Sequence, residues 1–120
     1  MGPLTHIRRP YGGIVLFDVR VLAVGDWDVV NVVGDMDLAG LPAVRQALDR
    51  TDSPSVAIDL SGVDHLDPVA LGVVLLGALR SSRAGGRFVV VSPPGPARDL
   101  LVETGVDQIV TVVDDSGALD

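Results

Sequence analysis

A chain of 120 residues, 48% of them hydrophobic and none of them cysteine, suits one domain with a single core and no disulfide staples. Its net charge is −7 and all nine basic residues are Arg, which argues against nucleic acid and against direct membrane insertion, both of which favour basic or long apolar segments. Without Lys or Cys there is no P-loop, no Schiff-base chemistry, no thiolate metal site and no cysteine nucleophile.

Residues 1–13 contain Pro and Gly, show no periodicity and read as a flexible arm. They lack the apolar core of a signal peptide, so the chain is expected to be cytoplasmic. Residues 14–120 read as the folded domain. Two β-rich runs follow, Ile14–Val24 and Trp27–Val33, split by the turn pair Gly25-Asp26, and they predict an antiparallel hairpin. Gly34-Asp35-Met36-Asp37 breaks the pattern. A helix is expected over about Gly40–Arg50, with Pro42 in its first turn and Leu41, Val44, Ala47 and Leu48 at helical spacing. Ser55–Leu60 reads as a short buried strand and Ser61–Leu66 as a loop.

The stretch HLDPVALG, residues 65–72, opens the next helix, expected to run from Asp67 to about Arg83. Asp67 suits the N-cap and Pro68 the first helical position. Gly85-Gly86 stops this helix, Arg87–Ser92 is a buried strand, Pro96–Thr104 a helix stopped by Gly105, and Ile109–Val113 a last strand. The tail after Asp114 reads as a helical fragment. The order β-β-α-β-α-β-α-β implies an α/β domain, a small mixed sheet with helices packed on it.

Three segments, VVNVVGDMDLAGLPAVRQAL, VAIDLSGVDHLDPVALGVVLLGAL and GGRFVVVSPPGPARDLLVETGVDQIV, resemble the STAS domain, the family that includes bacterial anti-sigma-factor antagonists. The resemblance spans about residues 15–113. It implies a partner-switching protein, one that binds an anti-sigma factor of the histidine-kinase-like serine kinase type and so frees a sigma factor. In such antagonists the kinase phosphorylates a Ser or Thr in D-[S/T]-[S/T]-G-L-G at the start of the second helix. Here Asp67 and Leu71-Gly72 match that motif. The first hydroxyl position is Pro68, the phosphoacceptor position is Val69, and Ala70 replaces the glycine. The usual off-switch is therefore absent at Val69.

Candidate site residues follow from both readings. The second helix carries one apolar stripe, Leu71, Val74, Leu75, Ala78 and Leu79, expected to face the sheet, and another, Val69, Val73 and Leu76, expected to dock a partner. The alternative is a helix buried on most sides. Asp35 and Asp37 match the family's acidic turn and fall at the same sheet end as Asp67 and Pro68. Asp35 is expected to meet basic groups of a partner; Asp37 either does the same or braces the turn. Asp59 suits a structural carboxylate that accepts loop N–H bonds. Ser61 is the nearest surviving hydroxyl to Val69, and a substitute phosphoacceptor there is the weaker of its two readings. Asp64 and His65, with His6 the only other histidine, make a poor metal site, and a loop His is more often a surface residue. Trp27 suits local packing on the sheet better than an interface rim.

The leading reading is thus a non-enzymatic protein-binding module without cofactor or metal. The alternative implied by the resemblance is a small STAS subunit that regulates a transporter ATPase complex. A third class, an acid-rich enzyme or receiver-like sensor built on Asp35, Asp37 and Asp67, is opposed by the missing Lys. Edge strands and the apolar stripe leave room for a weak homodimer.

Overall fold

In the computed structural model, residues 4–8 and 15–119 are described, with side chains from Phe17 to Leu119. The chain forms β1 (Leu4–Arg8), β2 (Val15–Val24), β3 (Trp27–Met36), α1 (Leu41–Asp49), β4 (Ser55–Leu66), α2 (Leu71–Arg83), β5 (Arg87–Val91), α3 (Pro96–Glu103) and β6 (Thr111–Val113). Short 3-10 turns occupy Pro68–Ala70, Val106–Gln108 and Ser116–Ala118. The six strands form one mixed sheet whose spatial order is the chain order. β1, β2 and β3 are antiparallel neighbours, and β3 to β6 run parallel.

The β2–β3 hairpin closes through Val24 paired with Trp27, and Gly25 takes the positive φ of 57° that the turn requires. Alternation then divides the strands into two faces. Phe17, Val19, Val21, Val30, Val32, Val56, Ile58, Leu60 and Val90 join Ala43, Val44, Ala47 and Leu48 of α1, Val74 of α2 and Leu101 of α3 in the main core. Each such fully buried large side chain contributes roughly 1.5–3 kcal/mol of hydrophobic stabilisation. The alternate residues Trp27, Val29, Ala57 and Val91 form a second, smaller cluster, with Val89, Val113 and Leu119 packed on it. Trp27 is a packed sheet residue, covered by the Arg87 guanidinium 4.5 Å from its ring centroid.

Beyond β3, which runs on through Gly34–Met36 past its expected end at Val33, three features depart from the sequence expectations. Leu4–Arg8, within the expected arm, is strand β1, paired from Leu4–Val19 to Arg8–Val15. β2 is ten residues long, and without β1 its first half would present an unpaired backbone edge. The rest of the arm lies outside the described residues. Ser61–Leu66, expected as a loop, continues β4 along β3, with register shifts between Asn31 and Val33 and between Gly34 and Asp35. β5 leaves β4 at Asp59, so this second half is paired on one side only. That is why its polar residues Ser61, Asp64 and His65 tolerate strand geometry: they are exposed. Third, β6 is confined to Thr111–Val113, because Val106–Gln108 turns as a 3-10 segment and Val110 N–H bonds back to the Val106 carbonyl. Among the described residues no helix is long and apolar enough to cross a membrane.

Candidate functional site

The ends of β3 and β4 lie side by side, with Asp35 opposite His65 and Met36 opposite Leu66. The Asp67 N–H then donates to the Met36 carbonyl at 3.0 Å, so the start of the α2 segment is pinned to the end of β3. Asp67 is extended (φ −72°, ψ 138°), and its Oδ1 accepts the Val69 N–H at 2.9 Å. It is the N-cap anticipated from sequence, with Pro68 in the first position of the turn. The helix does not begin at once: Pro68–Ala70 is a 3-10 turn, and α2 proper starts at Leu71.

Across the rim, the Gly40 N–H donates to both the Asp37 backbone carbonyl at 3.0 Å and Asp37 Oδ1 at 3.2 Å. Asp37 therefore braces the turn before α1. Gly40 sits against the Phe17 ring, and a Cβ there would fall 2.8 Å from Phe17 Cζ. Between these two braced segments the exposed residues are apolar. Leu38 is 69% exposed and Val69 46%, and Pro68 and Ala39 are exposed as well. Residues 34–40 and 61–76 contain four aspartates, Asp35, Asp37, Asp64 and Asp67, and no Arg or Lys. Asp35 is half-buried, while Asp64 and His65 are exposed.

The expected division of α2 into stripes is only half right. The residues turned to the core are Ala70, Val74, Gly77 and Ser81. Leu71, Leu75 and Ala78 flank them against the core, as expected, but Leu79 is 47% exposed. Val73, expected on the docking stripe, also packs on the core, and Leu76 is half-buried. The physical reason is size. A Cβ on Gly77 would lie 2.6 Å from Phe88 Cε1, so small residues let the helix settle close to the sheet and turn its larger ones sideways. Leu38 escaped the sequence reading because it belongs to no periodic run. The signal available was an apolar residue directly after an acidic turn.

Asp59 is nearly buried and accepts the Ser61 N–H at 2.9 Å and the Ser61 hydroxyl at 2.6 Å through Oδ1, while Asn31 Nδ2 donates to Oδ2 at 3.3 Å. Its structural role is thus visible, and the Ser61 hydroxyl is held by it. Among the described residues no three His, Cys, Asp or Glu side chains are grouped to hold a metal ion.

The family model described as "Mlab, STAS domain" matches residues 19–113. The chain belongs to the STAS domain family. An anti-sigma factor antagonist from Mycobacterium paratuberculosis is 26% identical, with a TM-score of 0.77 over 84% of this chain and 88% of that one. A Thermotoga maritima protein at 23% identity superposes with a TM-score of 0.71, again over 84% and 88% of the two chains. The Bacillus cell fate determinant SpoIIAA in its phosphorylated form is 16% identical, with a TM-score of 0.62 over 87% and 96%. These last two share the fold. A search of curated proteins found no significant match. The rim that carries Asp35, Asp37 and Asp67–Val69 therefore sits within a matched STAS domain, and Val69 stands at the position that the motif resemblance assigns to the phosphoacceptor.

Proposed function

We propose that this STAS domain is a non-catalytic protein-binding regulator, an anti-sigma-factor antagonist that binds an anti-sigma kinase and so releases a sigma factor. The observation that carries the reading is Val69: a half-exposed apolar side chain at the head of α2, on a backbone fixed by the Asp67 cap and by the bond from Asp67 to β3. A phosphate at this point would add about −1.5 to −2 charges beside Asp67. Valine has no oxygen to accept one, so this position keeps one charge state. Asp35 and Asp67, with Pro68 and Val69, form the face offered to the kinase; Val73 and Leu76 support it from behind.

The test is direct binding of the purified chain to each histidine-kinase-like anti-sigma factor of its genome, with and without prior incubation with ATP. The expected result is one tight partner, affinity unchanged by ATP, and a loss of about a hundredfold or more for Val69→Asp, the size of a buried hot spot carrying a misplaced charge. Binding that ATP abolishes, with phosphate recovered on this chain, would overturn the reading. A second reading, the small STAS subunit of a transporter ATPase complex, uses the same face. The family match favours keeping it, because that match is to a STAS model and does not single out antagonists. Stable co-purification with a transporter ATPase, and with no anti-sigma kinase, would decide for it.

A further inference from the structure

Two segments far apart in sequence meet at the rim of the sheet, and both end in exposed apolar side chains. Leu38 follows Met36 by two residues, and Val69 follows Leu66 by three, with Met36 and Leu66 paired in the sheet. Leu38 is more exposed than Val69, and nothing in its surroundings buries it. Both stand on backbone that is already fixed. The Gly40 N–H closes the Leu38 turn onto Asp37, the Val69 N–H closes its own turn onto Asp67, and the Asp67 N–H joins the two segments. Side chains held on such braced turns lose little backbone entropy when they are buried by a partner, which is the condition for an anchor.

We infer that the β3–α1 turn is half of the binding face, with Leu38 joining Pro68 and Val69 in one apolar ridge, and that this ridge seats in an apolar socket of a partner protein rimmed by arginine or lysine. The inference rests on the protein-binding reading above and adds to it the second element and the chemistry of the partner. The rim of the ridge decides that chemistry. It carries Asp35, Asp37, Asp64 and Asp67 against the single imidazole of His65, and no Arg or Lys across both segments. A second copy of this chain docked through the same ridge would set these carboxylates against each other, a like-charge juxtaposition that suppresses association. An anionic lipid surface is opposed by the same charges. A basic rim complements them, and Asp35 and Asp64, neither of which holds an ion pair among the described residues, are free to meet it.

The experiment uses the full chain and each purified histidine-kinase-like anti-sigma factor of the same genome, with affinity and association rate measured at low and high salt. Leu38→Ala is expected to lower affinity about thirtyfold, as for a hot-spot anchor, with an unchanged thermal midpoint because its side chain is solvent-facing. The double variant Asp35→Asn with Asp64→Asn is expected to slow association at low salt about tenfold and to flatten its dependence on salt. If a kinase binds the wild type and loses Val69→Asp but binds Leu38→Ala equally well, the ridge is overturned while the antagonist reading stands. If Leu38→Ala weakens binding but the double Asn variant keeps the wild-type rate and salt dependence, the basic rim is overturned. If no kinase binds the wild type, the antagonist reading falls, and the partner inferred here falls with it.

Discussion

At its C-terminal end α2 is tied to its surroundings by charge and close contact, whereas at its N-terminal end the side chains Leu38, Pro68 and Val69 face solvent above a braced backbone. Around the C-terminal end, Arg80 pairs with Asp49 of α1, Arg87 stacks on Trp27 and donates through Nε to Ser55 Oγ at 3.2 Å, and the Asp28 carboxylate accepts the N–H groups of Asp52 and Ser53 at 2.7 and 2.9 Å. Gly86 fits so tightly that a Cβ would fall 1.7 Å from the Pro54 carbonyl oxygen. The polar groups there are spent on holding α1, β4 and β5 together. At the other end polar groups brace two turns, and the apolar side chains above them stay uncovered. One end of the helix is covered by its own fold, and the other leaves large apolar side chains exposed.

Substitutions at the two ends should separate stability from binding. The largest effect on stability belongs to the C-terminal end. Gly86→Ala places a methyl group inside a backbone oxygen that cannot step aside, and it should cost about 3 kcal/mol, read as a lower midpoint in denaturant melts. An unchanged midpoint would show that this end is looser than its contacts imply. Asp67→Ala comes next, at about 1 kcal/mol for a lost N-cap, and it alone should affect both properties, because the same turn carries Val69. If it weakens stability but leaves kinase affinity untouched, the brace does not serve the ridge. Smallest is Asp49→Ala. Its ion pair with Arg80 is solvent-exposed, so thermal melts should shift by no more than about 0.5 kcal/mol in equivalent stability.

The sequence revealed the elements whose signals are local. The hairpin around Gly25, the α1 periodicity, the Asp67-Pro68 start and the Gly85-Gly86 stop each show in a few adjacent residues, and the structure has them all within a residue or two. What it hid depends on neighbours that only the fold supplies. β1 exists because β2 offers an edge, and nothing in LTHIR announces a partner. The second half of β4 reads as loop because its polar residues became exposed once β5 had ended. The rotation of α2 differs for another reason: helical spacing points its large apolar residues at the sheet, but the close approach at Gly77 gives that place to Ala70, Val74, Gly77 and Ser81. Val69 was legible through its cap and spacing; Leu38 was not, since an isolated leucine in a turn gains meaning only from its exposure.

The spatial order of the strands bears on how the chain reaches this state. Every strand pairs with the strands next to it in sequence, and the β2–β3 hairpin closes over two residues. Only the hairpin turn is short: each parallel pair from β3 to β6 is joined through a helix, so those pairings close longer loops and form more slowly than the hairpin. The order also lets the sheet grow in the direction of synthesis, since β4, β5 and β6 each dock on an edge that the preceding segment has already made. The last edge to be exposed is β6, only three residues long. So short an edge gives other chains little template on which to aggregate.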